Sequence, residues 1–118
     1  MRSKFEERFA TDLTARGIDY WYEPLRLRYA KAPGVYTPDF WLRCAVGGIL
    51  IETKGLFTSA DRTKMIAVKR AHPDRDIRLV FQRAKNTLSK TSKTTYAMWA
   101  EKHGFLWAEK VVPDAWLA

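Results

Sequence analysis

Residues 34–55, GVYTPDFWLRCAVGGILIETKG, read as two short apolar strands in which Asp39, Glu52 and Lys54 stand out. Residues 35–43 and 48–54 are rich in aliphatic and aromatic side chains, and a loop holding Gly47 and Gly48 joins them, which is the pattern of neighbouring strands. Alternate side chains of a strand share a face, so Glu52 and Lys54 project to one side and Ile49, Ile51 and Thr53 to the other. If the two strands pair, Asp39 meets Glu52 near a common strand end. Two carboxylates converging there repel each other and lose hydration unless a cation sits between them. Mg²⁺ suits such a pair, because it prefers oxygen ligands and takes only one or two protein carboxylates, leaving positions for water and phosphate. A lysine beside them can orient or deprotonate an attacking water, or offset charge growing on a phosphate in its transition state.

Pro38, Asp39, Glu52, Thr53 and Lys54 together form the PD-(D/E)xK nuclease signature, and Glu52-Thr53-Lys54 is the only D/E-x-K triplet in the chain. The plainer alternative is that Asp39 serves a turn after Pro38 while Glu52 and Lys54 form a solvated strand end.

Charge favours the first reading. The net charge of the 118 residues is +8. Residues 62–93 alone hold ten basic residues against Asp74 and Asp76, so this segment accounts for the whole excess. Such a skew is the footprint of a phosphate-backbone partner, and Arg62, Lys64, Lys69, Arg70, Arg83, Lys85, Lys90 and Lys93 are the candidate DNA-binding residues. Cys44 is the single cysteine and no Cys/His cluster has zinc spacing, so a metal here is expected to be held by oxygen. No apolar run approaches the roughly 18 residues of a membrane span, and MRSKFEERFA has acidic residues where a signal peptide has its apolar region. A cytoplasmic protein with no membrane partner and no nucleotide cofactor is the expectation.

The remaining elements follow from periodicity and punctuation. Phe5, Phe9 and Leu13 lie four apart on one stripe of a helix over residues 3–16, with Ser3 as N-cap and Gly17 as the stop. Residues 18–23 and 25–30 alternate as strands around Pro24, and Ala32-Pro33-Gly34 is a turn or hinge. Ser59 or Asp61 can cap a helix running to Ala71, residues 77–81 form a strand, residues 82–93 a basic loop, residues 94–103 a last helix and residues 105–108 a last strand. His72 and His103 fall at helix ends, where the dipole favours a charged imidazole. Trp41, Trp99, Trp107 and Trp116 read as core or dimer contacts. This order predicts a mixed α/β sheet flanked by helices, built as one domain over residues 1–118. Glu6 has two open readings. It completes a Ser3-Lys4-Phe5-Glu6 capping box, or it faces the sheet as a third site carboxylate.

In chain order, RSKFEERF before a helix ending in ARGI, then YTPDF, ETKGLF with DRTK, HPDRDIRLVF, TTYAMW, EKHGFLWAEK and VPDAW resemble the phage endonuclease I family of Holliday-junction resolvases over nearly the whole chain. The resemblance implies a restriction-endonuclease-like PD-(D/E)xK fold. It also implies an intertwined, domain-swapped homodimer that places paired nicks in four-way and other branched DNA junctions, using Mg²⁺ or Mn²⁺, in the host-cell cytoplasm. It puts Asp39 and Glu52 on the metal-binding carboxylates, Lys54 on the catalytic lysine, the Thr53 main-chain carbonyl among the metal ligands, and Glu6 on an N-terminal helix carboxylate of the active site. Subunit exchange would carry residues 1–23 across a hinge near 24–36, so that Glu6 arrives from the opposite chain. Trp21 stands where the family has an acidic residue, and Glu23, two residues on and on the same strand face, is an auxiliary candidate. The competing functions are another PD-(D/E)xK nuclease acting on duplex DNA, of restriction or repair type, and a catalytically inactive DNA-binding module.

Overall fold

A computed structural model describes residues 3–29, 34–44 and 47–117. The chain opens with helix α1 (Lys4–Ala15), and strands β1 (Tyr20–Tyr22), β2 (Leu27–Arg28), β3 (Val35–Tyr36), β4 (Phe40–Cys44) and β5 (Gly47–Lys54) follow. Helix α2 (Ser59–Ala71), β6 (Ile77–Phe81), α3 (Tyr96–Lys102), β7 (Trp107–Glu109) and a 3₁₀ turn (Asp114–Trp116) complete it. Five strands form one mixed sheet in the order β1-β4-β5-β6-β7. Strand β4 is antiparallel to β1 and to β5, whereas β6 runs parallel to β5 and β7 parallel to β6. The parallel pairs need crossovers, and α2 and α3 supply them.

Helix ends obey the local chemistry of their residues. Ser3 Oγ accepts the Glu6 N–H at 3.1 Å and starts α1. Gly17 ends it at φ +68°, where the N–H groups of Gly17 and Ile18 return to the Thr14 and Leu13 carbonyls. For α2 the cap is Thr58, not Ser59 or Asp61: Thr58 Oγ1 accepts from Asp61 N–H, and the Asp61 carboxylate accepts from Thr58 N–H. Asp61 is thus the third helical residue of a reciprocal capping box. Helix α3 is capped by Thr95. His72 and His103 cap the C-termini as expected, but burial, then Lys102 and Arg70, lower the His103 pKa against the pull of the helix dipole.

The sheet divides the core. On one face Phe5, Phe9 and Leu13 of α1 pack with Phe40, Leu42, Ile49, Ile51 and Val80. On the other, Met65 and Val68 of α2 and Trp99 of α3 pack with Leu50, Leu79 and Phe81. Trp99 is buried, while Trp41, Trp107 and Trp116 are half-buried against these clusters. Among the described residues no helix is long and apolar enough to cross a membrane.

One expected strand is in fact two. Residues 35–43 break at Pro38, whose missing N–H cannot join a ladder, so Val35 and Tyr36 pair with Arg28 and Leu27 in a separate two-stranded sheet while Phe40–Cys44 enter the main one. The first strand contracts to Tyr20–Tyr22 and the last moves to Trp107–Glu109. Residues 30–33, within the expected hinge and the strand over 25–30, lie outside the described residues.

Strand β5 depends on a missing side chain. A Cβ on Gly48 would overlap the Trp41 indole, whose nearest atom would be 1.9 Å away, and Trp41 is itself wedged edge-on against Trp21 at 4.8 Å. Gly48→Ala is therefore expected to cost about 1–3 kcal/mol by overpacking, read as a lower midpoint in denaturant unfolding.

Candidate active site

The antiparallel register pairs Phe40 with Ile51, so Asp39, one residue before β4, stands beside the end of β5 where Glu52 and Thr53 lie. Asp39 Oδ2 accepts from both the backbone N–H and the hydroxyl of Thr53, at 2.8 and 2.9 Å. The N–H and C=O of one strand residue point to the same edge, so the Thr53 carbonyl is also directed to the Asp39 side. The Glu52 side chain lies on the opposite face of the pleat from that of Thr53. Its Oε1 accepts from the buried Tyr36 hydroxyl at 2.7 Å, and its Oε2 lies 3.3 Å from Lys54 Nζ. Lys54 in turn reaches Asp61 Oδ1 at 3.2 Å. A continuous polar chain therefore runs Tyr36, Glu52, Lys54, Asp61 from the small sheet to the first turn of α2.

Electrostatics mark the two carboxylates as a strained pair. Burial and the nearby Glu6 push the Asp39 pKa up to about 6, although the Thr53 bonds and Lys54 oppose this. Burial and the Asp39 charge push Glu52 up to about 7 against Lys54 and the Tyr36 hydrogen bond. Burial alone would lower Lys54, but Glu52 and Asp61 outweigh it and hold the amine charged. Tyr36 is raised well above the ordinary phenol range by burial and by Glu52, so it remains a donor.

Of the expected residues, Asp39, Glu52, Thr53 and Lys54 are brought together, and Glu6 stands close enough to act on Asp39 electrostatically. The capping role does not claim the Glu6 carboxylate, which accepts from the Tyr22 hydroxyl at 3.0 Å. In the single chain α1 lies on its own sheet, so Glu6 and Asp39 approach within one copy. Glu23 does not share the face of Trp21, because β1 ends at Tyr22 and Glu23 turns to φ +48°, its N–H bonded to the Asp39 carbonyl and its carboxylate beside the Tyr22 hydroxyl. Tyr36 and Asp61 were not foreseen as site residues. Strand alternation gives no hint of Tyr36, and in the sequence Asp61 reads only as a helix cap.

The eight basic candidates fall into two groups. Arg62 donates to the Phe57 carbonyl, Lys69 donates to the Gly104 carbonyl and lies over the Phe105 ring, and Lys64 lies over Tyr36, so these serve the fold as well. Arg70, Arg83, Lys85, Lys90 and Lys93 are exposed and make no side-chain hydrogen bond or ion pair with the described residues.

The donor set fits a hard divalent ion. Asp39 keeps Oδ1 clear of the Thr53 bonds, the Asp39 and Glu52 charges are desolvated and mutually repelling, and a carbonyl oxygen lies alongside. Among the described residues no group of three or more His, Cys, Asp or Glu side chains is placed to hold a metal ion, so the fit rests on Asp39, Glu52 and the Thr53 carbonyl.

Two tests follow from this geometry. Both carboxylates bind protons more readily folded than unfolded, from ordinary values of 3.8 and 4.5. Their contribution to stability is present below about pH 4 and is lost as pH rises through about 6 and 7. The Asp39→Asn variant, free of that loss at position 39, should gain on the parent in metal-free thermal midpoint as pH is raised from 4 to 7.5. Tyr36→Phe removes a buried donor and should lower unfolding stability by about 1–3 kcal/mol in denaturant titration.

The sequence pattern that defines the family described as "Phage endonuclease I" matches residues 1–118. The "Endodeoxyribonuclease 1" of Enterobacteria phage T3 is 44% identical over 116 residues, covering 97% of this chain and 74% of that protein. The "Endonuclease I" of Escherichia phage T7 is 39% identical over 118 residues, covering 98% of this chain and 77% of that protein. A full-length family match and two such relatives, joined to a carboxylate pair with an adjacent lysine, leave one assignment: the chain belongs to the phage endonuclease I family of nucleases.

Proposed function

We propose that the protein is a divalent-metal-dependent DNA endonuclease that recognises four-way and other branched junctions and hydrolyses phosphodiesters with paired nicks. The observation that carries this reading is the pairing of half-buried Asp39 and buried Glu52 beside Lys54 at the ends of adjoining strands. The relatives' names support deoxyribonuclease chemistry, and the exposed basic residues 70–93 support a phosphate-backbone partner.

In this reading Asp39, Glu52, the Thr53 carbonyl and, from α1, Glu6 would hold Mg²⁺ or Mn²⁺. Such an ion supplies Lewis acidity at the scissile phosphate and eases deprotonation of water. The chain's own groups set the geometry around it. Thr53 fixes the Asp39 carboxylate by two hydrogen bonds, Tyr36 fixes Glu52, and Lys54 places a positive charge where it can orient the attacking water or offset phosphate charge. Arg70, Arg83, Lys85, Lys90 and Lys93 would lie along the DNA backbone, with Arg62, Lys64 and Lys69 in support. The fold is of the PD-(D/E)xK restriction-endonuclease-like kind, one nuclease domain per chain acting as a homodimer in the host-cell cytoplasm. Two copies supply the two opposed nicks, with residues 1–23 exchanged across the 24–36 segment.

The test is cleavage of a labelled four-way junction in Mg²⁺ with excess linear duplex of the same sequence as competitor. The parent should nick the junction undisturbed. Asp39→Ala and Glu52→Ala should bind it equally in a gel shift yet cleave at least about 100-fold more slowly, the loss of roughly 3 kcal/mol of transition-state stabilisation. Cleavage suppressed in proportion to added duplex would instead indicate a duplex nuclease, and no Mg²⁺-dependent nicking by the parent would indicate a binding module.

A further inference from the structure

Lys54 is held from two sides, and one of those holds lies outside the nuclease signature. An ammonium has three N–H donors. Here one meets Glu52 Oε2 at 3.3 Å and another Asp61 Oδ1 at 3.2 Å, and two anchors on a tetrahedral head fix the direction of the third. Glu52 alone would leave a flexible four-carbon stem free to swing about one contact.

Asp61 is itself rigid. It sits in the first turn of α2, where Oδ2 accepts the Thr58 N–H at 2.9 Å and its own N–H is bound to Thr58 Oγ1 at 3.1 Å. The cap occupies one carboxylate oxygen only. The other, Oδ1, is turned to the lysine, which the cap does not require. The six residues between Lys54 and Asp61 carry the chain from β5 into the first turn of α2 and set the spacing of the two charges. The Thr58 bonds and Lys54 hold the Asp61 carboxyl below its ordinary range despite partial burial, so it presents a full negative charge.

We propose that Asp61 is the positioning residue for the Lys54 amine, acting on the rate of phosphodiester hydrolysis through the direction of that amine and not through DNA affinity. The rate part of this inference rests on the nuclease reading above; the hold on the amine does not.

Two substitutions separate positioning from capping. Asp61→Asn keeps a carbonyl oxygen for the Thr58 N–H but removes the charge facing Lys54. Thr58→Ala weakens the same cap while leaving the Asp61 carboxylate on the lysine. Single-turnover cleavage of a four-way junction in Mg²⁺, junction affinity in Ca²⁺ and the thermal midpoint are read for each. Asp61→Asn should cleave about 10–100-fold more slowly with unchanged affinity, the range seen when an outer partner of a site is lost. Thr58→Ala should show a lower midpoint and the parent's rate. A parent-like rate for Asp61→Asn, or an equal loss in Thr58→Ala, overturns the proposal. The amine is also followed directly, by mass-spectrometric measurement of Lys54 acetylation with acetic anhydride. Asp61→Asn should raise its acetylation rate relative to the parent, and Thr58→Ala should not. An unchanged acetylation rate in Asp61→Asn rejects the proposal even if the parent proves unable to cut a junction, whereas an inert parent with faster acetylation in that variant rejects only the nuclease reading.

Discussion

Asp39 and Glu52 are forced together by strand pairing and taken out of water by the same packing, and their repulsion organises much of what surrounds them. Each is pushed toward protonation, and each is met by a specific counter-arrangement. Thr53 gives Asp39 two hydrogen bonds, and Glu52 receives the Tyr36 hydroxyl on one oxygen and the Lys54 ammonium near the other. Removing the charged partner from a buried ion pair such as Glu52 with Lys54 costs about 3–5 kcal/mol, because the remaining charge is left without compensation. The fold tolerates the pair because every member is already engaged, and among the described residues no buried side-chain polar atom lacks a hydrogen-bond partner.

The position of the pair follows from the mixed sheet. Strand β5 is the element where antiparallel and parallel pairing meet, with β4 on one edge and β6 on the other. Its antiparallel edge delivers Asp39 from the preceding strand. Its parallel edge commits the chain to a crossover, and the crossover helix begins with the capping box that holds Asp61 against Lys54. Pleat alternation then sends Ile49 and Ile51 to the α1 side of the sheet and Leu50 to the α2 side, so both faces of the strand are filled while its end stays polar.

Much of this was legible in the sequence because it depends on short-range rules. Period-2 alternation placed Glu52 and Lys54 on one face, Gly17 marked the end of α1, and the uniqueness of the Glu52-Thr53-Lys54 triplet singled out the candidate site. What was hidden depends on where distant groups end up. Tyr36 looked like an ordinary residue of one long strand, and only the break at Pro38 sends it into a second sheet where its hydroxyl meets Glu52. Asp61 looked like a cap, and its second oxygen has no signature in the chain. Glu6 was ambiguous for the same reason: the backbone of Ser3 and the hydroxyl of Tyr22 were equally available on paper, and only tertiary packing decided for Tyr22.

The contacts that build the site span few residues. Thr53 reaches Asp39 across fourteen positions, Tyr36 reaches Glu52 across sixteen, and Lys54 reaches Asp61 across seven. The segment from Tyr36 to Asp61 therefore carries the two paired carboxylates, their hydrogen-bond donors and the lysine as one contiguous cassette, and Glu6 enters from outside it. Helix α1 adds one carboxylate beside Asp39 and takes no part in the bonds within the cassette. The placement of one helix can thus alter the completeness of the candidate site without rebuilding it.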